Sequence, residues 1–204
     1  MIAVVDYGLG NVASFLNMYK RMNIPAKSAR VVDDLDGIDR FVLPGVGAFD
    51  HAMDLLDDSG MRTALDELAL VKKVPVLGVC VGMQMMADDS DEGKRPGLGW
   101  VSGRVRGFVT EPEVARLPLP HMGWNDVTPQ PSSALFGGLE TGARFYFLHS
   151  FFFDCASRKN VEAEARYGVD FSCAVRSGNV HGVQFHPEKS HHFGAALLRN
   201  FATL

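Results

Sequence analysis

A cysteine framed by glycines is the first residue of this chain that could do chemistry. Cys80 lies within Val76-Leu77-Gly78-Val79-Cys80-Val81-Gly82-Met83-Gln84. The apolar lead-in reads as a buried strand, the residues beyond as an amphipathic helix, and the thiol falls at the turn between them. Gly78 and Gly82 give the Gly-x-Cys-x-Gly spacing, the cysteine form of a nucleophile elbow. Without Cβ atoms at those two positions, strand and helix can approach closely around a strained residue. The start of the helix offers free N–H groups and a positive dipole end, which favour a thiolate and an oxyanion. Far downstream stands Gln184-Phe185-His186-Pro187-Glu188-Lys189-Ser190. In extended chain His186 and Glu188 point the same way. A base and the carboxylate that orients it are then available to the thiol. Taken singly, Cys80 reads equally as an inert core thiol and His186 as a satisfied structural histidine. Their joint presence in this order indicates a Cys-His-Glu nucleophilic set.

The elements that must position these groups change character halfway along the chain. Residues 2–6 read as a strand, and Asn11 is a good N-cap for a helix to about residue 22. Residues 40–43 and 75–79 read as further strands, with helices over 49–57 and 61–71. Continuous apolar strands separated by helices indicate a parallel sheet covered on both faces. Residues 88–97 read as a polar loop. From about Gly103 short β-rich runs take over, at 104–109, 144–153, 161–167, 171–176 and 180–185. Ser177-Gly178-Asn179 joins the last two as a hairpin-like turn, and residues 190–202 close the chain as a helix. The fold class is therefore α/β with a mixed, largely parallel sheet, organised as a single domain over 1–204. Cys80 then falls at the carboxyl end of a strand, where open α/β sheets place their sites.

With the elbow and the His-Pro-Glu segment together, the chain resembles the class I, or triad, glutamine amidotransferases. Further segments resemble one branch of that family, the HisH-type glutaminase subunits of imidazole glycerol phosphate synthase. They are Asp6-Tyr7-Gly8-Leu9-Gly10-Asn11, Leu43-Pro44-Gly45-Val46-Gly47-Ala48-Phe49, Pro120-His121-Met122-Gly123-Trp124-Asn125 and Phe145-Tyr146-Phe147-Leu148-His149-Ser150. The likeness runs from residue 1 to about residue 202. It implies a flavodoxin-like, three-layer amidotransferase domain acting on L-glutamine. Cys80 would form a γ-glutamyl thioester, His186 would move the protons and Glu188 would hold the imidazole. The backbone N–H of Val81 would meet the oxyanion, joined by a donor from Val46 or Gly47. The Pro44–Gly47 segment also reads as a plain strand-to-helix turn. Gly47, Gln84, Glu92, His149, Ser150 and Phe151 would line the glutamine pocket. Glu92 reads equally as a solvated loop residue. Phe151 stands where the family commonly has Tyr, and Val81 where Leu is usual.

The same resemblance implies a partner, a HisF-type (β/α)₈ barrel that receives ammonia through a tunnel and yields imidazole glycerol phosphate and AICAR in histidine biosynthesis. Asn11, His121, Met122, Trp124, Asn125, Tyr146 and Lys189 match that family's interface, though Trp124 and Tyr146 also read as core aromatics. Lys189, next to Glu188 in extended chain, should point away from the Cys80 side. A close paralogue that feeds a sugar amidotransferase in surface-polysaccharide synthesis remains the alternative.

Composition excludes other classes. The chain has 204 residues, 47% hydrophobic and 22% charged, with net charge −4. That suits a globular core and gives no basic surface for nucleic acid or anionic membranes. No apolar stretch reaches membrane-spanning length, and the N-terminus lacks signal-peptide features. Three irregularly spaced cysteines argue against a disulfide framework and for a reducing cytoplasm. No Cys, His and carboxylate set has zinc spacing, so neither metal nor cofactor is expected. His51, His191 and His192 read as surface residues and His181 as part of a strand.

Overall fold

The computed structural model describes residues 1–204. In chain order, the strands are β1 Ile2–Val5, β2 Ala26–Ala29, β3 Arg40–Gly45, β4 Val76–Cys80, β5 Asp89–Ser90, β6 Gly103–Gly107 and β7 His121–Asp126, then β8 Thr128–Pro129, β9 Arg144–His149, β10 Phe151–Cys155, β11 Val161–Tyr167, β12 Val169–Ser177 and β13 Val180–Val183. The helices are α1 Val12–Arg21, α2 Phe49–Asp58, α3 Arg62–Asp66, α4 Val81–Gln84 and α5 His191–Phe201.

One large sheet runs β2-β1-β3-β4-β13-β12-β10-β6-β5, with β11 on β12 and β8 on β11. Strands β2, β1, β3, β4 and β13 are parallel, and β12, β10 and β6 join antiparallel. Strands β1, β4 and β13 are buried along their whole length. That burial is why β1 and β4 read as unbroken apolar runs rather than alternating ones. Helix α1 starts where Asn11 accepts a hydrogen bond from Ser14 N at 3.3 Å and ends on Lys20 and Arg21, a cationic last turn that suits the helix dipole. Gly45 lies opposite Cys80 where β3 and β4 end, and β13 runs beside β4. The carboxyl ends of three adjacent parallel strands therefore meet at the thiol.

A separate antiparallel ribbon, β7 with β9, leans over that end. Its residues alternate. His121, Phe145, Phe147 and His149 are buried, while Met122, Trp124 and Leu148 face outward. This pleat separates two sets of residues that the sequence had grouped together.

Several elements differ from the sequence reading, each for a physical reason. Residues 144–153 are not one strand: the chain leaves β9 at Ser150 and enters the large sheet as β10. β2 was missed because Lys27 and Ser28 make an edge strand look polar. β7 carries His121 and Asn125 at alternate positions and did not read as a strand. The 61–71 helix becomes π-helical over Glu67–Val71, and the run after Arg104 turns at Phe108–Thr110. The run after Cys80 is not amphipathic. Every residue of α4 is buried, and the helix is one turn long.

The glycine at 82 is the tightest point of this arrangement. A Cβ there would run into the Leu43 carbonyl oxygen. Gly82→Ala is expected to destabilise the protein by about 3 kcal/mol, the upper range for forced overpacking. A denaturant midpoint unchanged from the parent would contradict the close approach of α4 to β3.

Candidate active site

Cys80 sits at the turn with φ 56° and ψ −115°, a left-handed backbone that costs a non-glycine residue on the order of 1–3 kcal/mol. Its surroundings hold it there. Side chains at Gly78 would meet Met86 Cε at 2.5 Å and Gly82 O at 2.7 Å, and one at Gly45 would meet Gly82 N at 2.5 Å. The thiol is 5% exposed. Because α4 is a single turn, its macrodipole is small, and the local N–H of Val81 is the more useful donor.

His186 follows β13 and is fixed through its main chain. Its N–H donates to Tyr146 O at 2.9 Å, and its carbonyl accepts from Ser190 Oγ at 2.6 Å. The same Ser190 oxygen accepts from Tyr146 N at 3.0 Å. Residues Pro187–Lys189 form a 3₁₀ turn rather than extended chain, which corrects the expected geometry while keeping its consequence. Glu188 Oε1 lies 2.8 Å from His186 Nδ1, so the other ring nitrogen is left for the thiol, and His186 and Cys80 line the same cleft. Burial pulls the imidazole pKa down, but the hydrogen bonds and charges of Cys80 and Glu188 outweigh it and raise it to about 9. Glu188 Oε2 is buried with no hydrogen-bond partner.

Above the thiol lies a cleft of about 280 Å³. Val46, Gly47, Cys80, Val81, Gln84, Glu92, His149, Ser150, Phe151 and His186 all line it. The sequence-predicted nucleophile, base, oxyanion and substrate residues thus share one space with Glu188 behind His186. Gly47 has φ +87° with open space around it. Tyr7 OH donates to Pro44 O at 2.9 Å and pins the base of that segment. Burial, then the charge of Cys80, raises the Tyr7 pKa, so its hydroxyl stays a donor. Glu92 Oε2 accepts from Phe49 N at 2.9 Å at the start of α2. Burial raises the Glu92 pKa, partly offset by that bond.

The expected interface residues divide. Met122 is 64% and Trp124 40% exposed. Trp124 is stacked on His191 with ring centroids 5.3 Å apart and meets the edge of Tyr146. Asn11 is exposed at the cap of α1. His121 is buried at 4%, and Asn125 turns inward to donate to Arg166 O at 2.9 Å. His121 is therefore corrected to an interior residue, while Asn125, on the same face of the β7 pleat, is half-buried. Lys189 is exposed, and only its expected direction away from the Cys80 side is corrected. The 3₁₀ turn brings it to the cleft rim, with Nζ 5.8 Å from the Tyr146 ring centroid. Sequence reasoning missed Pro120 and Leu148 on the rim and Gln184 beneath the thiol. A glutamine inside the strand-like run 180–185 was the available signal.

Known proteins match the chain over nearly its whole length. The model of the family "Glutamine amidotransferase class-I" matches residues 3–203. The chain is 61% identical to the imidazole glycerol phosphate synthase subunit HisH of Bdellovibrio bacteriovorus, over 100% of both chains. It is 47% identical to the protein of the same name from Leptospira borgpetersenii and 43% identical to HisH 2 of Pseudomonas aeruginosa, again over 100% of each. A crystal structure of a glutamine amidotransferase superposes with TM-score 0.76 at 21% identity, covering 100% of this chain and 99% of that one. A putative GMP synthase protein from Thermoplasma acidophilum gives 0.72 at 23% identity, covering 99% and 92%. At such identities these two structures speak to the fold, an α/β architecture around a mixed, largely parallel sheet.

The raised pKa of His186 has a stability signature. A folded-state pKa above the unfolded value of about 6.5 contributes stability that is complete below that value. The contribution is lost as pH rises through about 9. Chemical denaturation of the parent and of His186→Gln should therefore show a stability gap that narrows between those two values. A gap constant across the window would mean that the imidazolium is not held by Cys80 and Glu188.

Proposed function

The chain belongs to the class I glutamine amidotransferase family, in its HisH branch, and from that premise we propose that it hydrolyses L-glutamine through Cys80, His186 and Glu188. The observation that carries the reading is His186, bonded to Glu188 on one side and lining with Cys80 a cleft that fits an amino acid. The raised pKa of His186 favours its protonated form at neutral pH, paired with the sulfur. Sγ attacks the side-chain amide carbon, and the C–N bond breaks as His186 gives its proton to the leaving ammonia. The N–H of Val81 and a donor from Val46 or Gly47 meet the oxyanion. Water, activated by the now neutral His186, opens the thioester to glutamate. Glu188 keeps the ring oriented and stabilises its charged form.

Ammonia released here is protonated in open water, which favours direct transfer to a partner. The outward face of β7 and β9 supports that step. Met122, Trp124 and Leu148 are exposed apolar residues on that face, and Leu148 lines the cleft together with the exposed Val46; such a patch marks a docking surface. The proposed occupant is a HisF-type (β/α)₈ barrel, and the names of the relatives support histidine biosynthesis as the pathway. A paralogue serving a sugar amidotransferase would keep every residue role and change only the acceptor. Supplying the barrel and its histidine-pathway ribonucleotide acceptor separates the two.

Cys80→Ala is expected to lower glutamine-dependent synthesis by roughly a thousandfold or more while synthesis from ammonium salt continues. Glutamine turnover near the parent rate would refute the nucleophile. Trp124→Ala should weaken binding to the barrel by about 2 kcal/mol, the scale of a buried aromatic anchor, without slowing alkylation of Cys80. Unchanged affinity by calorimetry would remove Trp124 from the interface. The lone chain should turn over slowly, since the open space around Gly47 leaves its peptide unheld without a partner and an oxyanion donor that is not aligned forfeits on the order of 3 kcal/mol. Full activity without the barrel would rule out gating at Pro44–Gly47.

A further inference from the structure

Gln184 and a buried pair of histidines form a hydrogen-bonded chain that ends on the nucleophile. Asn125 Nδ2 donates to Arg166 O at 2.9 Å and reaches His121 Nε2 at 3.3 Å. His121 Nδ1 lies 2.9 Å from His149 Nε2, and His149 Nδ1 lies 2.7 Å from Phe151 O. Gln84 Nε2 donates to the same Phe151 O at 3.2 Å and to Gln184 Oε1 at 3.0 Å. Gln184 Nε2 then donates to Cys80 Sγ at 3.8 Å. Gln84, Gln184, His121 and His149 are each buried, at most 6% exposed.

The direction of every bond follows from two main-chain carbonyls, which can only accept. Arg166 O requires the amide nitrogen of Asn125, so His121 Nε2 accepts. Phe151 O requires a proton on His149 Nδ1, so His149 Nε2 accepts from His121 Nδ1. Both imidazoles are therefore neutral. Burial agrees, lowering the pKa of His121 to about 4 and of His149 to about 3. Phe151 O also requires the nitrogen of Gln84, which forces Gln184 to present its oxygen to Gln84. Gln184 then has an N–H, and not a carbonyl, facing sulfur.

We propose that Gln184 is a further catalytic residue, donating its amide N–H to Cys80 Sγ, and that His149 and His121 are positioning residues that hold the Phe151 carbonyl where it orients Gln84 and, through it, Gln184. The N–H stabilises negative charge on sulfur before attack and as the thioester is released. A reversed Gln184 would aim its oxygen at the thiolate and repel it. The two outer-face anchors Met122 and Trp124 share β7 with His121 and Asn125, so the chain also joins the docking ribbon to the thiol.

This inference rests on the glutaminase reading, and the experiment keeps the two apart. The assay uses the chain bound to its barrel partner, following glutamine hydrolysis and, separately, alkylation of Cys80 by iodoacetamide. Gln184→Met keeps size and removes the donor. It should lower kcat about 10- to 100-fold, the scale of one hydrogen bond to a charged group, with KM within about threefold, and slow alkylation in parallel. His149→Leu should lower kcat about tenfold by the same scale. His149→Asn, which restores a donor near the Nδ1 position, should recover most of that loss. Parent-like kcat and alkylation in Gln184→Met would overturn the proposal. So would His149→Asn as impaired as His149→Leu, which would assign the histidine to packing alone. A parent complex that leaves glutamine intact would instead overturn the glutaminase reading.

Discussion

The left-handed backbone at Cys80 is the constraint on which the rest of the site depends. An L-residue at φ 56° relaxes unless its neighbours forbid it. Here they do so by contact. Gly45, Gly78 and Gly82 let β3, β4 and α4 close on one another until no side chain would fit between them. The strain is held by parallel strands buried on both faces, whose apolar contacts far outweigh a cost of a few kcal/mol. What the strain achieves is presentation. The thiol projects past the strand end into the cleft, beside the N–H of Val81, with His186 arriving from the end of β13.

Three histidines near that point show how environment sets chemistry. Burial lowers the pKa of all three. His121 and His149 find only neutral partners and fall to about 4 and about 3. His186 has a carboxylate on one side and the thiol on the other, and rises to about 9. The same side chain therefore serves as a neutral relay in one place and a proton carrier in another. A second buried carboxylate–imidazole pair, Glu162 with His181 at 2.9 Å, resembles the Glu188–His186 pair in composition. No thiol or hydroxyl is hydrogen-bonded to its imidazole, and Ser133 Oγ donates instead to Glu162 at 2.8 Å. Pairing alone does not make a site; the elbow does.

The parallel half of the fold was legible because burial on both faces leaves runs such as Ile2–Val5 and Val76–Cys80 wholly apolar. The nucleophile, base and orienting acid were legible because their spacing is dictated by the elbow and by one turn of chain. The outer ribbon was not. In β7, His121 and Asn125 look like surface polar residues, yet the pleat turns their side chains toward partners on β9 and β11. No local pattern announces such partners, since they come from distant parts of the chain. Lys189 was misplaced for a related reason. The reading assumed extended chain after His186, whereas the main-chain bonds of His186 to Tyr146 and Ser190 wind the segment into a 3₁₀ turn.

The central claim is that the strained thiol of Cys80 carries the glutamyl group. The most direct measurement is acid quenching during glutamine turnover, followed by mass spectrometry of the peptides containing Cys80, Cys155 and Cys173. The account predicts a labile glutamyl adduct on the Cys80 peptide alone, lost on mild alkaline treatment as a thioester should be. Turnover with no adduct on Cys80, or with the adduct on Cys155 or Cys173, would contradict it.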